Sequence, residues 1–213
     1  FRKILNTTRG NTMSNQTNTN ATQFGTIAQN IAPYGVMMAI FALVYAACFG
    51  LAWGWAGWTL LGLVCVAALI IVVLSVRNIC HAKQFPVAQT AEGQRIVRTM
   101  GILSGITYST IWLLGIILAV IGQAKFIMPM VTLLIGFHFV PQAKIMSRKI
   151  DYFVAPVPIF AAVVAIYLGC FTNEPWTVLY AVAGAGGATA TLTYGCYIIY
   201  AYRRLMRQYG IER

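Results

Sequence analysis

Long apolar runs separated by short polar segments dominate this chain. No Asp, Glu, Lys or Arg occurs between Arg9 and Arg77, and residues 34–76 are mostly apolar. Because a helix of about 20 apolar residues crosses the hydrocarbon core of a bilayer, this stretch is long enough for two crossings. The segment Trp53-Gly-Trp-Ala-Gly-Trp58 divides it and is typical of a turn at the membrane interface. The pattern therefore predicts helices near 33–53 and 57–76.

Four further apolar runs follow the polar segment 77–98. We predict a loop there, with Pro86 inside it and, as an alternative, a short surface helix after the proline. Charged or turn-forming residues bound each run. The runs predict helices near 99–122, 126–143, 152–171 and 176–200. They are continuously apolar and lack the alternation that marks membrane strands. We therefore predict an all-α, polytopic helical membrane protein with six transmembrane helices.

The apolar runs also define the domain organisation. We predict a six-helix transmembrane domain in 33–202, a flexible cytoplasmic N-terminal tail in 1–32 and a basic cytoplasmic C-terminal tail in 203–213. Asn, Thr and Gln dominate the N-terminal tail from Met13 onward, as in flexible segments. Because Met13 is the first methionine, we expect residues 1–12 to be either foreign to the native chain or an upstream extension.

Composition narrows the protein class in the same direction. Of 213 residues, 59% are hydrophobic and 9% are charged, whereas soluble domains are about 25% charged. A soluble enzyme, a disordered chain and a disulfide scaffold are therefore excluded as main interpretations. The five cysteines show no paired spacing, so we expect no disulfide framework, no metal site and no cofactor.

The distribution of basic residues predicts the orientation in the membrane. The formal charge is +11, which in a soluble protein would suggest nucleic acid. Here all 15 lysines and arginines except Lys125 fall on one predicted side of the membrane. The positive-inside rule makes that side cytoplasmic, with both termini inside. We expect the lipid bilayer as partner, together with a homo-oligomer or a membrane protein partner, and no nucleic acid.

Polar residues inside the predicted helices supply the candidate site. The fourth helix carries His138 and Gln142 beside Pro141, which frees the Phe137 carbonyl and predicts a local interruption. The third helix carries Ser104 and Tyr108 on one face. His138 is either a structural hydrogen-bonding group or a substrate-binding or proton-handling residue, with Tyr108 or Ser104 as the expected partner. No Asp, Glu, Lys or Arg lies centrally in a predicted helix, so we expect no buried carboxylate.

Small residues predict close helix packing. Gly184 and Gly187 in the sixth helix, with Ala188 and Thr191 one turn further on, allow helices to approach closely. We predict the same packing role for Gly136 and Pro141 in the fourth helix.

The segment Gly136-Phe-His-Phe-Val-Pro141 resembles a G-x-H-F-x-P element of small multi-pass bacterial membrane proteins of unknown function. The resemblance covers a short part of the chain. It implies a bacterial inner-membrane protein and points to His138 and Pro141, and it carries over no activity.

Two functions follow as alternatives. One is a small transporter or permeation protein with a path near the third, fourth and sixth helices. The other is a non-catalytic membrane subunit or assembly factor that acts through basic cytoplasmic loops. We expect no enzyme activity, because the chain has no HExxH or GxSxG motif and no acidic cluster.

Overall fold

The computed structural model describes residues 19–88 and 91–211, apart from the side chain of Glu92. The described residues form α-helices and one 3-10 turn, without a strand, so the predicted all-α class is confirmed. The helices are α1 (19–31), α2 (Tyr34–Ala46), α3 (Phe49–Ala82), α4 (Ala91–Val120), α5 (Ile127–Met146), α6 (Ile150–Val154), α7 (Pro156–Phe171) and α8 (Trp176–Gln208). The 3-10 turn Ala124–Phe126 joins α4 to α5.

Five helical segments in the described part of the chain are long and apolar enough to cross a membrane, which is consistent with an integral membrane protein. They are Thr19–Ala46, Phe49–Ala82, Gly93–Val120, Ala124–Met146 and Ile150–Phe171. Helix α8, at the position of the sixth predicted crossing, is not among them. Its length is sufficient, because 33 residues extend about 50 Å. Its glycines, threonines and tyrosines lower its hydropathy.

Helix α8 is the central element of the bundle. Helices α2, α3, α5 and α7 all pack on it, and its buried residues run from Leu179 to Tyr202. A helix surrounded by other helices needs little lipid-compatible surface, and small residues let its neighbours approach closely. Central position therefore accounts for the low hydropathy of α8.

The turn predicted between the first two helices appears as a kink within α3. Trp53 and Gly54 leave helical geometry there, and Gly54 has a φ of +52°, which glycine adopts without strain. A Cβ on Gly57 would overlap the Phe49 backbone, so the chain folds back tightly at this point. Helix α2 ends at Ala46, earlier than predicted, and α3 continues to Ala82, beyond the predicted end at 76.

The N-terminal region differs from the predicted flexible tail. Residues 19–31 form α1, and Phe24, Ala28 and Ala32 are buried at intervals of four residues. They pack against Ala82 and Tyr202, at the ends of α3 and α8. The segment that carries this apolar stripe is rich in uncharged polar residues, so its overall composition predicts a flexible tail and does not reveal the stripe. Residues 1–18 lie outside the described part of the chain.

Three other boundaries also move. Helix α4 begins at Ala91, so much of the predicted loop 77–98 is helical. Helix α5 continues through Pro141 to Met146, and the predicted interruption is not observed. Helix α8 likewise extends to Gln208, into the predicted C-terminal tail. Tyr202, Leu205 and Met206 pack against α1, and this packing extends α8 beyond its apolar core.

Hydrogen bonds tie the helices together at both ends of the bundle. At one end, the Gln29 amide donates to the carbonyls of Ala82 and Phe85 at 3.1 and 3.0 Å. At the other end, Lys125 Nζ donates to the Gly169 carbonyl at 2.8 Å, and the Tyr180 hydroxyl donates to the Ala124 carbonyl at 2.7 Å. These contacts hold α1 on α3, and α7 and α8 on the 3-10 turn.

Candidate functional site

A cavity of about 1220 Å³ lies between α4 and the rest of the bundle. Helices α1 and α2 line one side, α4 lines the opposite side, and α5 and α8 lie between them. Helix α4 packs mainly on α5 and the 3-10 turn, and no described residue of 93–120 is buried. The cavity exists because α4 stands apart from α2.

All four predicted site residues line this cavity. Ser104 and Tyr108 come from α4, and His138 and Gln142 come from α5. Each pair is separated by four residues, which places its members on one helix face. Packing of α4 on α5 then brings the two polar faces to the same cavity.

His138 is held by a residue that the sequence analysis did not select. Its Nδ1 lies 2.9 Å from the Thr107 hydroxyl. The partner of His138 is therefore Thr107, and not Tyr108 or Ser104 as expected. The same hydroxyl donates to the Leu103 carbonyl at 2.9 Å. Because a hydroxyl has one hydrogen, Nδ1–H donates to Thr107 and Nε2 keeps its lone pair.

A second polar cluster lies where α5 ends. Gln142 is buried, and its amide donates to the Tyr194 hydroxyl at 3.1 Å. The Arg148 guanidinium donates to the same hydroxyl. Ser147 ends α5 in the left-handed conformation, with a φ of 51°. The Arg148 N–H then bonds the Ala143 carbonyl at 3.0 Å, a helix-end motif that fixes Arg148 at the cavity.

A carboxyl group behind this cluster is buried, contrary to the expectation of no buried carboxylate. Asp151 in α6 is fully buried, and neither carboxylate oxygen has a hydrogen-bond partner among the described residues. Arg148 acts on it electrostatically. The sequence suggested a loop because Asp151 lies close to Arg148 and Lys149, in the segment Arg148-Lys149-Ile150-Asp151. Packing of α6 against α5 and α8 encloses it instead.

Polarity changes along the cavity. Near the end that contains Arg148, the lining includes the polar side chains of Thr26, Gln29, Asn30 and Gln142. Toward the other end the lining is mostly apolar: beside Tyr45 and Tyr108 it includes Phe41, Val44, Ile111, Trp112, Met128 and Val131. The cavity therefore has a polar end, which we call the Arg148 end, and an apolar end.

The predicted packing residues lie at close helix contacts. A Cβ on Gly184 would overlap the Tyr45 carbonyl oxygen, and a Cβ on Gly187 would overlap the Tyr45 ring. A Cβ on Gly136 would lie 2.6 Å from Ile159 of α7. Pro141 stays within α5. These glycines bring α8 against α2 and α5 against α7.

Sequence reasoning missed the contribution of α1 and of the Arg148 end. Five α1 residues line the cavity, yet they fall in the predicted flexible tail. Arg148 falls between the predicted helices 126–143 and 152–171, and Tyr194 falls inside the predicted helix 176–200. A four-residue apolar spacing from Phe24 was the one available signal for α1.

Comparison with protein-family models, with curated proteins and with solved structures found no match for this chain.

Proposed function

We propose that this protein is a small transport or permeation protein of the bacterial inner membrane, and that its substrate passes through the cavity between α2 and α4. The single observation that carries the proposal is that cavity, which is larger than the roughly 300–1,000 Å³ of ordinary ligand sites. The proposed path borders α4, α5 and α8, the third, fourth and sixth helices of the sequence prediction. We assign the protein no catalytic reaction.

The proposed topology has six crossings and both termini in the cytoplasm, with α8 as the sixth crossing. The basic residues near the ends of α3, α4, α5 and α8 support it, because the positive-inside rule places such ends in the cytoplasm. Packing of α1 on the ends of α3 and α8 adds support, because it places three segments that we propose to be cytoplasmic at the same end of the bundle. Lys125 occupies the opposite end, against Gly169.

The substrate would reach the cavity sideways from the bilayer. Several lining residues remain open to the surroundings, and two of them are Met37 at 43% and Trp112 at 73% exposure. These two belong to α2 and α4, the helices that border the gap. A gap between two membrane-length helices opens toward lipid rather than toward water, so the substrate is expected to be lipid-soluble at least in part.

The proposal can be tested by filling the cavity. Gly101 lines it, and a Cβ there would meet nothing within 4 Å, so Gly101→Phe should occupy the cavity without straining α4. Gly105→Phe is the matched control, because Gly105 has the same open surroundings one turn further on and does not line the cavity.

Proteoliposomes of the full chain would be assayed for transbilayer movement of NBD-labelled phosphatidylcholine and phosphatidylglycerol, read by dithionite quenching. We expect wild type and Gly105→Phe to move at least one of these probes, and Gly101→Phe to lose most of that movement. Equal movement by both variants, or no movement above protein-free liposomes, would overturn the proposal.

An accessory role is the second candidate function, and one observation favours it. Helix α4 exposes large apolar side chains along its length, including Val97, Ile106 and Leu113, and such a face also suits a partner helix. A native pull-down in mild detergent distinguishes the two. A stoichiometric membrane partner, combined with absent lipid movement, would support the subunit role.

A further inference from the structure

We propose that the cavity takes an anionic amphiphile, with its apolar chain between α2 and α4 and its acidic head group at Arg148. This inference rests on the proposed function and specifies its substrate class. It follows from three observations: the polarity of the lining, the position of Arg148 and the gap between α2 and α4.

The apolar part of the cavity fits a flexible hydrocarbon chain. Five methionines line the cavity, and methionine side chains adapt to irregular apolar surfaces. They are Met37 and Met38 of α2, Met100 of α4, and Met128 and Met146 of α5. The same region is open along the gap between α2 and α4, so a chain could slide in from the bilayer without desolvating a charged group.

The Arg148 end fits an acidic head group. Arg148 is the only Lys, Arg, Asp or Glu among the described residues that line the cavity. Its guanidinium is half-buried and has one described hydrogen bond, to the Tyr194 hydroxyl, which leaves further N–H groups for a ligand. A guanidinium binds carboxylate and phosphate oxygens through paired, charge-assisted hydrogen bonds.

The positions of the neighbouring charged residues support the assignment of the head group to Arg148. Asp151 is buried outside the lining, so a head group at Arg148 would not contact its carboxylate. Lys149 is exposed and also lies outside the lining. Of these three charged residues, only Arg148 lines the cavity. Lys149 is next to it in the sequence and has the same charge, so it provides the control.

The test measures binding by native mass spectrometry of the full chain in a non-ionic maltoside detergent. The probes are palmitate, palmityl alcohol, which has the same chain and no charge, and inorganic phosphate, which has charge and no chain. We expect wild type to bind palmitate about tenfold more tightly than the alcohol, since charge-assisted hydrogen bonds are roughly twice as strong as neutral ones. Phosphate should not compete with palmitate.

Arg148→Gln should weaken palmitate binding about tenfold, to the level of the alcohol, whereas Lys149→Gln should leave both unchanged. Arg148→Lys should retain most palmitate binding, and this result would show that the fold tolerates substitution at Arg148. Equal loss in Arg148→Gln and Lys149→Gln, or equal affinity of wild type for both probes, would overturn the inference. Those outcomes leave the proposed function intact wherever Gly101→Phe still blocks lipid movement and Gly105→Phe does not.

Discussion

His138 shows how a polar residue can serve both the fold and the cavity. Its Nδ1 bonds Thr107 across the contact between α4 and α5, while the imidazole also lines the cavity. The link matters because α4 has few other neighbours. A single hydrogen bond between helices therefore helps to set the width of the cavity.

Thr107→Val and His138→Leu should each lower the thermal midpoint in detergent by an amount equivalent to about 1 kcal/mol, because each leaves one partner unpaired. The double variant should cost no more than either single variant, as expected for a shared interaction. Thr110→Val is the control, since the Thr110 hydroxyl bonds only the Ile106 carbonyl of its own helix among the described contacts. Additive losses in the double variant would show that Thr107 and His138 act independently.

The sequence was sufficient to select the four polar residues of the cavity but not their partners. Ser104, Tyr108, His138 and Gln142 stand out because polar groups are costly within apolar helices. The rotation of α4 about its axis decides which of its residues bonds His138. The weak amphipathicity of α4 leaves this rotation undetermined, so the sequence alone could not select Thr107 over its neighbours. Arg148 required a backbone turn at Ser147, where no glycine marks the left-handed conformation.

At the scale of elements, the contact between α8 and α2 depends on the absence of side chains. Gly184→Ala and Gly187→Ala should each destabilise the protein by about 1–3 kcal/mol, because the added methyl group overpacks the contact with Tyr45. Gly62→Ala is the matched control, because its Cβ would meet nothing within 4 Å on the exposed surface of α3. Gly62→Ala should be neutral or slightly stabilising in thermal unfolding. Unchanged midpoints for all three variants would place the two α8 glycines away from a helix contact.

Helix α1 should depend on Gln29 for its attachment to α3. Gln29→Ala removes two hydrogen bonds to carbonyls at the end of α3 and should cost about 1–2 kcal/mol. Asn30→Ala should cost less, because the Asn30 amide bonds only the Thr26 carbonyl within α1 among the described contacts. Hydrogen exchange of residues 19–31 gives the readout: faster exchange in Gln29→Ala than in Asn30→Ala is expected. Equal exchange in the two variants would argue against the attachment.

Helix positions were predictable where apolar runs have charged boundaries, and less so elsewhere. Helices α4, α5 and α7 match their predictions closely at the apolar end near Lys125. The basic ends of α3 and α8 extend beyond their predicted bounds because both helices pack there against α1. Helix α8 was predicted by its overall apolar length, but its central position depends on contacts that no single run of residues specifies.

For the whole molecule, the proposed orientation gives a direct prediction. Reporter fusions after Lys125 and after Glu174 should report a periplasmic location, and fusions after Gln84, Arg148 and Arg213 a cytoplasmic one. The uneven distribution of basic residues is the physical reason, since positively charged loops are retained in the cytoplasm. One inverted fusion would contradict six crossings with both ends inside.

The central claim, that an amphiphile occupies the cavity, is tested most directly by photo-crosslinking. Diazirine-labelled palmitate would be activated on the full chain in nanodiscs and its adducts mapped by mass spectrometry. Adducts are expected at cavity residues such as Met100 and Met128 in preference to Leu69 on the exposed side of α3, and Gly101→Phe should remove that preference. Adducts as frequent at Leu69 as at Met100, and unchanged by Gly101→Phe, would show that the probe samples only the outer surface and would contradict the claim.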